Sequence, residues 1–302
     1  MQTLQWDSSP GDTLREIANK SGLEWTRIGD CLLICADCLT VLPTLEAGSV
    51  DAILTDLPYG TTACSWDTVI PFVPMWAVVK RVLKPRGVFV TTAGQPFTSA
   101  LVMSNLKWFQ YCWVWDKVNM FTNQMNADKQ PMRQHEDIAV FSVNGHTYNA
   151  QMQQGKPYKV KRSGRIDVFA ISPRDGENAT GMMHPGTVIQ IPARNPKEQG
   201  LHPTQKPVAL YAYLVRTYTN EGDTVLDFCF GSCTTGVACI QTGRRFIGVE
   251  IDEGYFKIGV DRMRNAQMQL PLALSSCDTI DTVKPDYQES LLDLPSQSVE
   301  KV

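Results

Sequence analysis

Two apolar patterns alternate along this chain. Leu32 to Cys35, Val50 to Thr55, Val88 to Thr92, Tyr111 to Trp115, Ile138 to Phe141, Thr224 to Asp227 and Phe246 to Val249 are short, nearly unbroken runs, as in strands buried on both faces. Between them Phe72 to Leu83, Val208 to Tyr218, Val237 to Thr242 and Val260 to Met268 are spaced for helices, which predicts an open α/β sheet. The first of these helices closes at Lys84-Pro85-Arg86-Gly87, and Pro207 suits the first turn of another, where a missing N–H costs nothing. A further amphipathic stretch, Thr13 to Ser21, acquires no role from the pattern. From Val143 to about Gly200 the alternation stops in a segment rich in Gly, Pro, Asn and Gln. The predicted plan is an extension over 1–28, a sheet half over 29–143, an insert over 144–200, a second sheet half over 201–268 and a tail over 269–302 of mobile composition.

The predicted strands end in residues that carry chemistry. Val50 to Thr55 runs into Asp56-Leu57-Pro58-Tyr59 at the carboxyl end of a buried strand, where open α/β sheets place their ligand crevices. A carboxylate and a proline-fixed backbone carbonyl can accept the two hydrogens of an exocyclic amine while the Tyr59 ring stacks on a nucleobase. That set suits methylation of the amine, although the same tetrapeptide is also a good turn after any strand. Asp37 ends the first run in the same way, with helix capping before Leu39 as its alternative reading. Asp227 opens a small-residue loop, Phe228 to Gly236, and Glu250 ends the next run nineteen residues after Gly231. This is the arrangement that binds an adenosine ribose, the acid accepting from its hydroxyls.

The loop lacks the lysine of a phosphate-binding loop, and Cys233 stands where a dinucleotide fingerprint needs its middle glycine. S-adenosylmethionine has no phosphate to bring close. Glu250 can serve its ribose, Gly231 to Thr235 can turn around its methionine moiety, and Thr204 with Lys206 can meet its carboxylate.

Composition narrows the class. With 302 residues, 43% hydrophobic and 20% charged, the chain can bury a full core as one large domain plus an appended region. No basic start followed by an apolar run and no eighteen-residue apolar stretch occur, which predicts a soluble cytoplasmic protein and no membrane partner. Nine cysteines, mostly inside apolar runs, read as reduced core residues; Cys31, Cys35 and Cys38, or Cys229 with Cys233, are not expected to hold a metal. His135 has no nucleophile beside it and reads as structural. The net charge of −3 hides a local patch in the insert: Lys156, Lys159, Lys161, Arg162 and Arg165 beside Tyr158, with no acid among them. Such a run is a solvated face or a phosphate contact, and its place in an insert favours the second.

These motifs together resemble the β-class amino-methyltransferases of DNA. Asp56 to Tyr59 is similar to the family's Asp-Pro-Pro-Tyr, Leu83 to Gly87 to its next helix-to-strand turn, and Asp227 to Thr235 to its cofactor loop, Asp-Pro-Phe-x-Gly-Ser-Gly-Thr-Thr. His202-Pro203-Thr204-Gln205-Lys206-Pro207 matches the pre-helix motif unchanged. Four motifs in order, from about Gly29 to Arg264, make the resemblance specific, and it is closest to the short methylases of phages and prophages that act without a restriction enzyme. It implies a circularly permuted, Rossmann-like S-adenosylmethionine-dependent methyltransferase sheet with an inserted target-recognition region. It further implies that Asp56, the Leu57 carbonyl, Pro58 and Tyr59 handle a flipped base of double-stranded DNA. Asp37, Thr204, Lys206, Pro207, Asp227, Phe228, Gly231, Ser232, Thr234, Thr235 and Glu250 then serve the cofactor, with Asp37 reading its adenine. A homodimer is left open.

Three departures matter: Leu57 for proline, Phe228-Cys229 for Pro-Phe, and Cys233 for glycine, where a side chain is expected to crowd the cofactor. Adenine N6 is the expected target, because the family tends to carry serine in place of Asp56 for cytosine N4. Cytosine N4 remains an alternative, as does a DNA-binding relative without catalysis, motivated by Cys233. A nicotinamide oxidoreductase would leave Asp56 to Tyr59 and the basic insert unused.

Overall fold

The computed structural model describes residues 23–61, 64, 67–160, 176–195 and 205–273. The Thr13 to Ser21 stretch, Lys161, Arg162, Arg165, Thr204 and the tail beyond 273 lie outside them. The strands, in chain order, are β1 (Glu24–Ile28), β2 (Cys31–Cys35), β3 (Val50–Asp56), β4 (Leu83–Ala93), β5 (Phe109–Asp116), β6 (His135–Ser142), β7 (Gln153–Gln154), β8 (Tyr158–Val160), β9 (Gly176–Asn178), β10 (Met182–Met183), β11 (Val188–Gln190), β12 (Thr224–Asp227) and β13 (Arg245–Glu250). The helices are α1 (Cys38–Val41), α2 (Phe72–Val82), α3 (Phe97–Ser104), α4 (Val208–Tyr218), α5 (Thr234–Thr242) and α6 (Glu253–Ala273).

Nine strands form one mixed sheet in the order β1-β2-β13-β12-β3-β4-β6-β5-β11. From β2 to β4 all neighbours are parallel, and β6 runs antiparallel between β4 and β5. The chain leaves β3 toward β4 on one side, returns to β12 beside β3, and leaves toward β13 on the other side. That reversal between β3 and β12 opens a crevice at the carboxyl ends of the central strands. It sets Asp56 and Asp227 at neighbouring strand ends.

Side-chain alternation decides which residues meet each helical layer. On β3, Ala52 and Leu54 pack with Leu210, Leu214 and Val237 from α4 and α5, while Ile53 points the other way toward Met75, Val79 and Leu101 from α2 and α3. Both faces are covered, which is why β3 reads as a continuous apolar run rather than an alternating one. Helix α2 buries Met75, Trp76, Val79 and Val82 and leaves Val73 exposed. At its end Lys84 Nζ binds both oxygens of Asp51 at 2.8 Å, and Asp51 also accepts the Thr224 N–H at 2.9 Å. The stop signal at Lys84 to Gly87 is therefore absorbed into a long, irregular β4 that begins at Leu83, instead of a free turn before Val88.

Two strands of the large sheet lie where the apolar pattern predicts none. β1, inside the predicted 1–28 extension, pairs with β2 through a hairpin at Gly29, whose φ of +54° suits glycine. β11, inside the predicted insert, adds a parallel edge beside β5. The rest of the described insert forms two small antiparallel ribbons, β7 with β10 and β8 with β9. Among the described residues no helix is long and apolar enough to cross a membrane.

Candidate active site

A cavity of about 900 Å³ lies along the carboxyl ends of the central strands and is lined by Asp37, Asp56, Tyr59, Lys206, Asp227 and Glu250. On one side of it, Asp56 Oδ1 accepts from the Tyr59 hydroxyl at 2.9 Å and from Thr92 Oγ1, and Oδ2 accepts from Lys206 Nζ at 2.5 Å. Leu57 is buried, Pro58 half-buried, and Phe97 stacks on the Tyr59 ring with centroids 5.1 Å apart. Asp67 accepts the Gly60 and Thr61 N–H groups at 2.9 Å each, which fixes the chain as it leaves Tyr59. Arg133 donates to the Gln95 carbonyl at 3.0 Å, and its guanidinium lies 2.9 Å from where a Cβ on Gly94 would stand, so only glycine fits there unless Arg133 moves.

On the other side Glu250 ends β13, buried, with its two oxygens accepting the Gly231 N–H at 2.7 Å and the Asp252 N–H at 2.9 Å. Burial pushes its carboxyl up, and the backbone donors work against that. Each oxygen keeps acceptor capacity for another donor, such as a ribose hydroxyl. Asp37 caps α1 through the Leu39 N–H at 2.7 Å and lines the cavity as well, so the capping and binding readings are compatible. Phe228 packs against Phe89 and also reaches the cavity wall, where Cys38 and Cys229 meet thiol to thiol. Arg262 of α6 holds the loop from below, donating to the Ser232 carbonyl at 2.5 Å, Ser232 Oγ at 3.0 Å and Thr234 Oγ1 at 3.2 Å. Thr234 in turn donates to the Lys206 carbonyl at 3.1 Å, tying the loop to the residue before Pro207, which flanks α4 as its N-cap.

Cys233 has a φ of +60°, the left-handed conformation that favours the glycine of the related loop. Its side chain is fully buried and packs against Gly236 and Gly259, away from the residues that line the cavity. The side chain is thus not part of the cavity wall, and the left-handed backbone carries a strain on the order of 1 kcal/mol.

Asp227 is a buried hub. Thr55 Oγ1 at 2.8 Å, Thr235 Oγ1 at 2.6 Å and the Cys229 N–H at 3.1 Å all donate to it, yet burial pushes its carboxyl up to about 7. Between the unfolded carboxyl range and that value the native state holds a proton that the unfolded chain has lost. Its contribution to stability therefore falls as pH rises from about 4 to about 7 and is flat above, a loss on the order of 4 kcal/mol at 1.36 kcal/mol per unit. Asp227→Asn is expected to remove this slope, so that urea midpoints at pH 5 and pH 8 lie closer together than in the wild type. Parallel pH dependence in the two proteins would count against it.

Lys156 and Lys159 are exposed on the ribbon side, and Lys159 pairs with Glu177 at 3.0 Å. His135 is exposed, whereas its neighbour Glu136 lines the cavity, as do Lys117 and Gln205. Glu136, Lys117, Thr92 and Arg262 escaped the sequence reading. Charged residues at the ends of apolar strands, Lys117 after β5 and Glu136 in β6, were the available signal. Among the described residues no group of three or more His, Cys, Asp or Glu side chains is placed to hold a metal.

The sequence profile of the family described as DNA methylase, N6_N4_Mtase, matches residues 50–261. The DNA adenine methyltransferase YhdJ of Escherichia coli (strain K12) is 30% identical over 262 residues, 81% of this chain and 87% of that protein. The type II methyltransferase M.HpaI of Haemophilus parainfluenzae is 28% identical over 248 residues, 78% of this chain and 74% of that protein. Among solved structures, the PvuII DNA methyltransferase (cytosine-N4-specific) superposes with a TM-score of 0.58 at 16% identity, over 80% of this chain and 92% of that one. The M1.HpyAVI–SAM complex gives 0.52 at 22% identity, over 77% and 98%. At such identities the structural likeness speaks for the fold alone, but the profile takes in the acid at the end of β3, the loop after β12 and the acid at the end of β13, and the chain belongs to the DNA methylase family.

Proposed function

We propose that this protein transfers a methyl group from S-adenosylmethionine to the N6 amine of adenine in double-stranded DNA. The observation that carries the reading is that Asp56 with Tyr59 and Glu250 with the Gly231 loop line one continuous cavity from opposite sides. The donor set fits the cofactor: a buried carboxylate for the ribose, backbone at a tight loop, and an ammonium, Lys206, within the same cavity for a carboxylate. When bound, the cofactor supplies an electrophilic methyl on a sulfonium.

Asp56 and the Leu57 carbonyl accept the two amine hydrogens, so the nitrogen can pyramidalise and aim its lone pair at that methyl. Positive charge then develops beside a fixed carboxylate. The target atom lies inside a duplex, so the base must be flipped, and Tyr59, backed by Phe97, is the stacking platform that offsets part of the unstacking. Glu250 takes the ribose hydroxyls and Asp37 the adenine edge. The deciding experiment is incubation with S-adenosylmethionine and duplex DNA followed by nucleoside mass spectrometry. N6-methyladenine supports the reading, N4-methylcytosine replaces its target, and neither product sinks it.

The basic insert is assigned to phosphate contact. An exposed ion pair such as Lys159 with Glu177 contributes little, so a phosphate can displace it. Replacing Lys156 and Lys159 together by alanine is expected to flatten the log–log salt dependence of duplex binding by roughly one to two units, at about 0.9 per phosphate neutralised. Random and target duplexes should weaken alike, because phosphate contacts carry position rather than sequence. An unchanged salt slope would leave these lysines as a solvated face.

A further inference from the structure

Four charged side chains are linked one to the next along the cavity wall, starting from the proposed catalytic acid, Asp56. Lys206 Nζ is 2.5 Å from Asp56 Oδ2 and 3.5 Å from Glu136 Oε2, and Lys117 Nζ is 2.6 Å from Glu136 Oε1. The side chains of Lys206, Glu136 and Lys117 are 9%, 13% and 5% exposed, against 24% for Asp56, so the charges behind the acid are largely shielded from water. At 3.5 Å the ammonium approaches Glu136 Oε2 as an ion pair short of a full hydrogen bond, and that buried oxygen has no hydrogen-bond partner among the described residues. Buried carboxylate oxygens are normally satisfied, so this one is an acceptor held ready.

The catalytic acid has the opposite problem. Asp56 Oδ1 already takes two hydroxyls and Oδ2 takes the Lys206 ammonium, so an incoming amine finds only the second lone pair of Oδ2, directly beside that ammonium. An ammonium left there would also oppose the positive charge that develops on the amine nitrogen. We propose that Glu136, fixed by Lys117, is a second seat for the Lys206 ammonium: as the target amine donates to Asp56, Lys206 moves its hydrogen bond to Glu136 Oε2 and frees Asp56 Oδ2. No covalent bond changes, and Lys206 keeps its three protons, one of which remains for a cofactor carboxylate. Glu136 and Lys117 are thus positioning residues that act through Lys206. The inference rests on the function proposed above.

The electrostatics agree with both seats staying charged. Burial works against the Lys206 ammonium, but Asp56 and Glu136 more than offset it and hold its pKa above the ordinary lysine value. Burial likewise works against the Glu136 carboxylate, and Lys206 and Lys117 more than offset it downward. The other titratable groups facing this cluster are Tyr59, whose ring centroid is 5.8 Å from Lys206 Nζ, together with Tyr211 and Asp227. Burial raises both tyrosines well above their usual value, so they stay neutral.

The test is Glu136→Gln, which removes the charge of the second seat and keeps its shape. It is expected to bind S-adenosylmethionine within about threefold of wild type while the single-turnover rate falls by about 10- to 100-fold, the split expected when an interaction matters only during the reaction. The alkaline limb of its rate profile should move down, because Lys206 has lost one of the two carboxylates that hold its proton. Glu136→Asp should recover part of the rate. An unchanged rate and profile would overturn the proposal, and so would a parallel loss of cofactor affinity and thermal stability that Glu136→Asp does not restore. If Glu136→Gln does not fold, Lys117→Met loosens the seat with Glu136 in place and should slow turnover in the same direction; wild-type turnover in that variant would overturn the proposal. Failure of the functional reading is distinguishable, since the wild type would then produce no methylated base. In that case carbon-13 NMR of lysine Cε still decides: a lower Lys206 pKa in Glu136→Gln supports the second seat, and an unmoved one overturns it.

Discussion

Replacing Asp56 with alanine is expected to lower the rate of methyl transfer by about 10²- to 10⁴-fold, the range for removing a preorganised group that handles charge and protons in the transition state. Cofactor binding should stay within several-fold of wild type, because the Glu250 side of the cavity is untouched. The fold should also survive. Lys206 loses its nearer partner but keeps Glu136, so its ammonium is not stranded without a counter-charge. Asp56→Asn separates charge from shape: it preserves the volume and one acceptor but presents an amide hydrogen where the target amine must donate. Single-turnover assays with calorimetric cofactor titration read both properties, and near-wild-type turnover in Asp56→Ala would remove Asp56 from the chemistry.

Glu250→Ala should weaken S-adenosylmethionine binding by about 1.5–3 kcal/mol, the value of hydrogen bonds to a charged acceptor, which is roughly 10- to 150-fold in Kd. Part of that loss is indirect. Glu250 also satisfies the Gly231 and Asp252 N–H groups, so its removal loosens the loop that would wrap the methionine moiety. Glu250→Gln keeps one carbonyl acceptor and should recover the part that belongs to the loop, not the part that belongs to the ribose. Equal affinity for wild type and Glu250→Ala, measured by calorimetry, would show that the ribose is held elsewhere.

Some of this protein is written locally in its sequence. Thr224–Asp227 and Val208–Tyr218 have the bounds that their patterns predict, because a short apolar run and a proline-led amphipathic helix are each decided within a few residues. The acids at the strand ends were legible for the same reason: Asp56, Asp227 and Glu250 each close an apolar run, and a parallel sheet brings such ends to one edge. Where the local signal is weak, the pattern fell short. Glu24–Ile28 mixes polar and apolar positions as a half-exposed edge strand does, and Val188–Gln190 buries only Ile189, so both passed as irregular chain. Helix α5 begins at Thr234, before the apolar run that announced it, because the turn at Cys233 starts the helix with small residues.

The sequence by itself determined the α/β class, the order of the motifs and the chemical types at the strand tips, since each follows from local propensity and spacing. What only the tertiary structure decided are the pairings across long stretches of chain. Asp56 and Lys206 are 150 residues apart, and nothing between them indicates that the lysine expected at the cofactor carboxylate rests on Asp56 with Glu136 and Lys117 behind it. Nor could the sequence say where the Cys233 side chain points, because that depends on space between α5 and α6 rather than on the loop's own residues. The physical reason is the same in both cases. Packing and electrostatics act over a few ångströms of space, and only the completed sheet, with its reversal between β3 and β12, converts distance along the chain into that proximity.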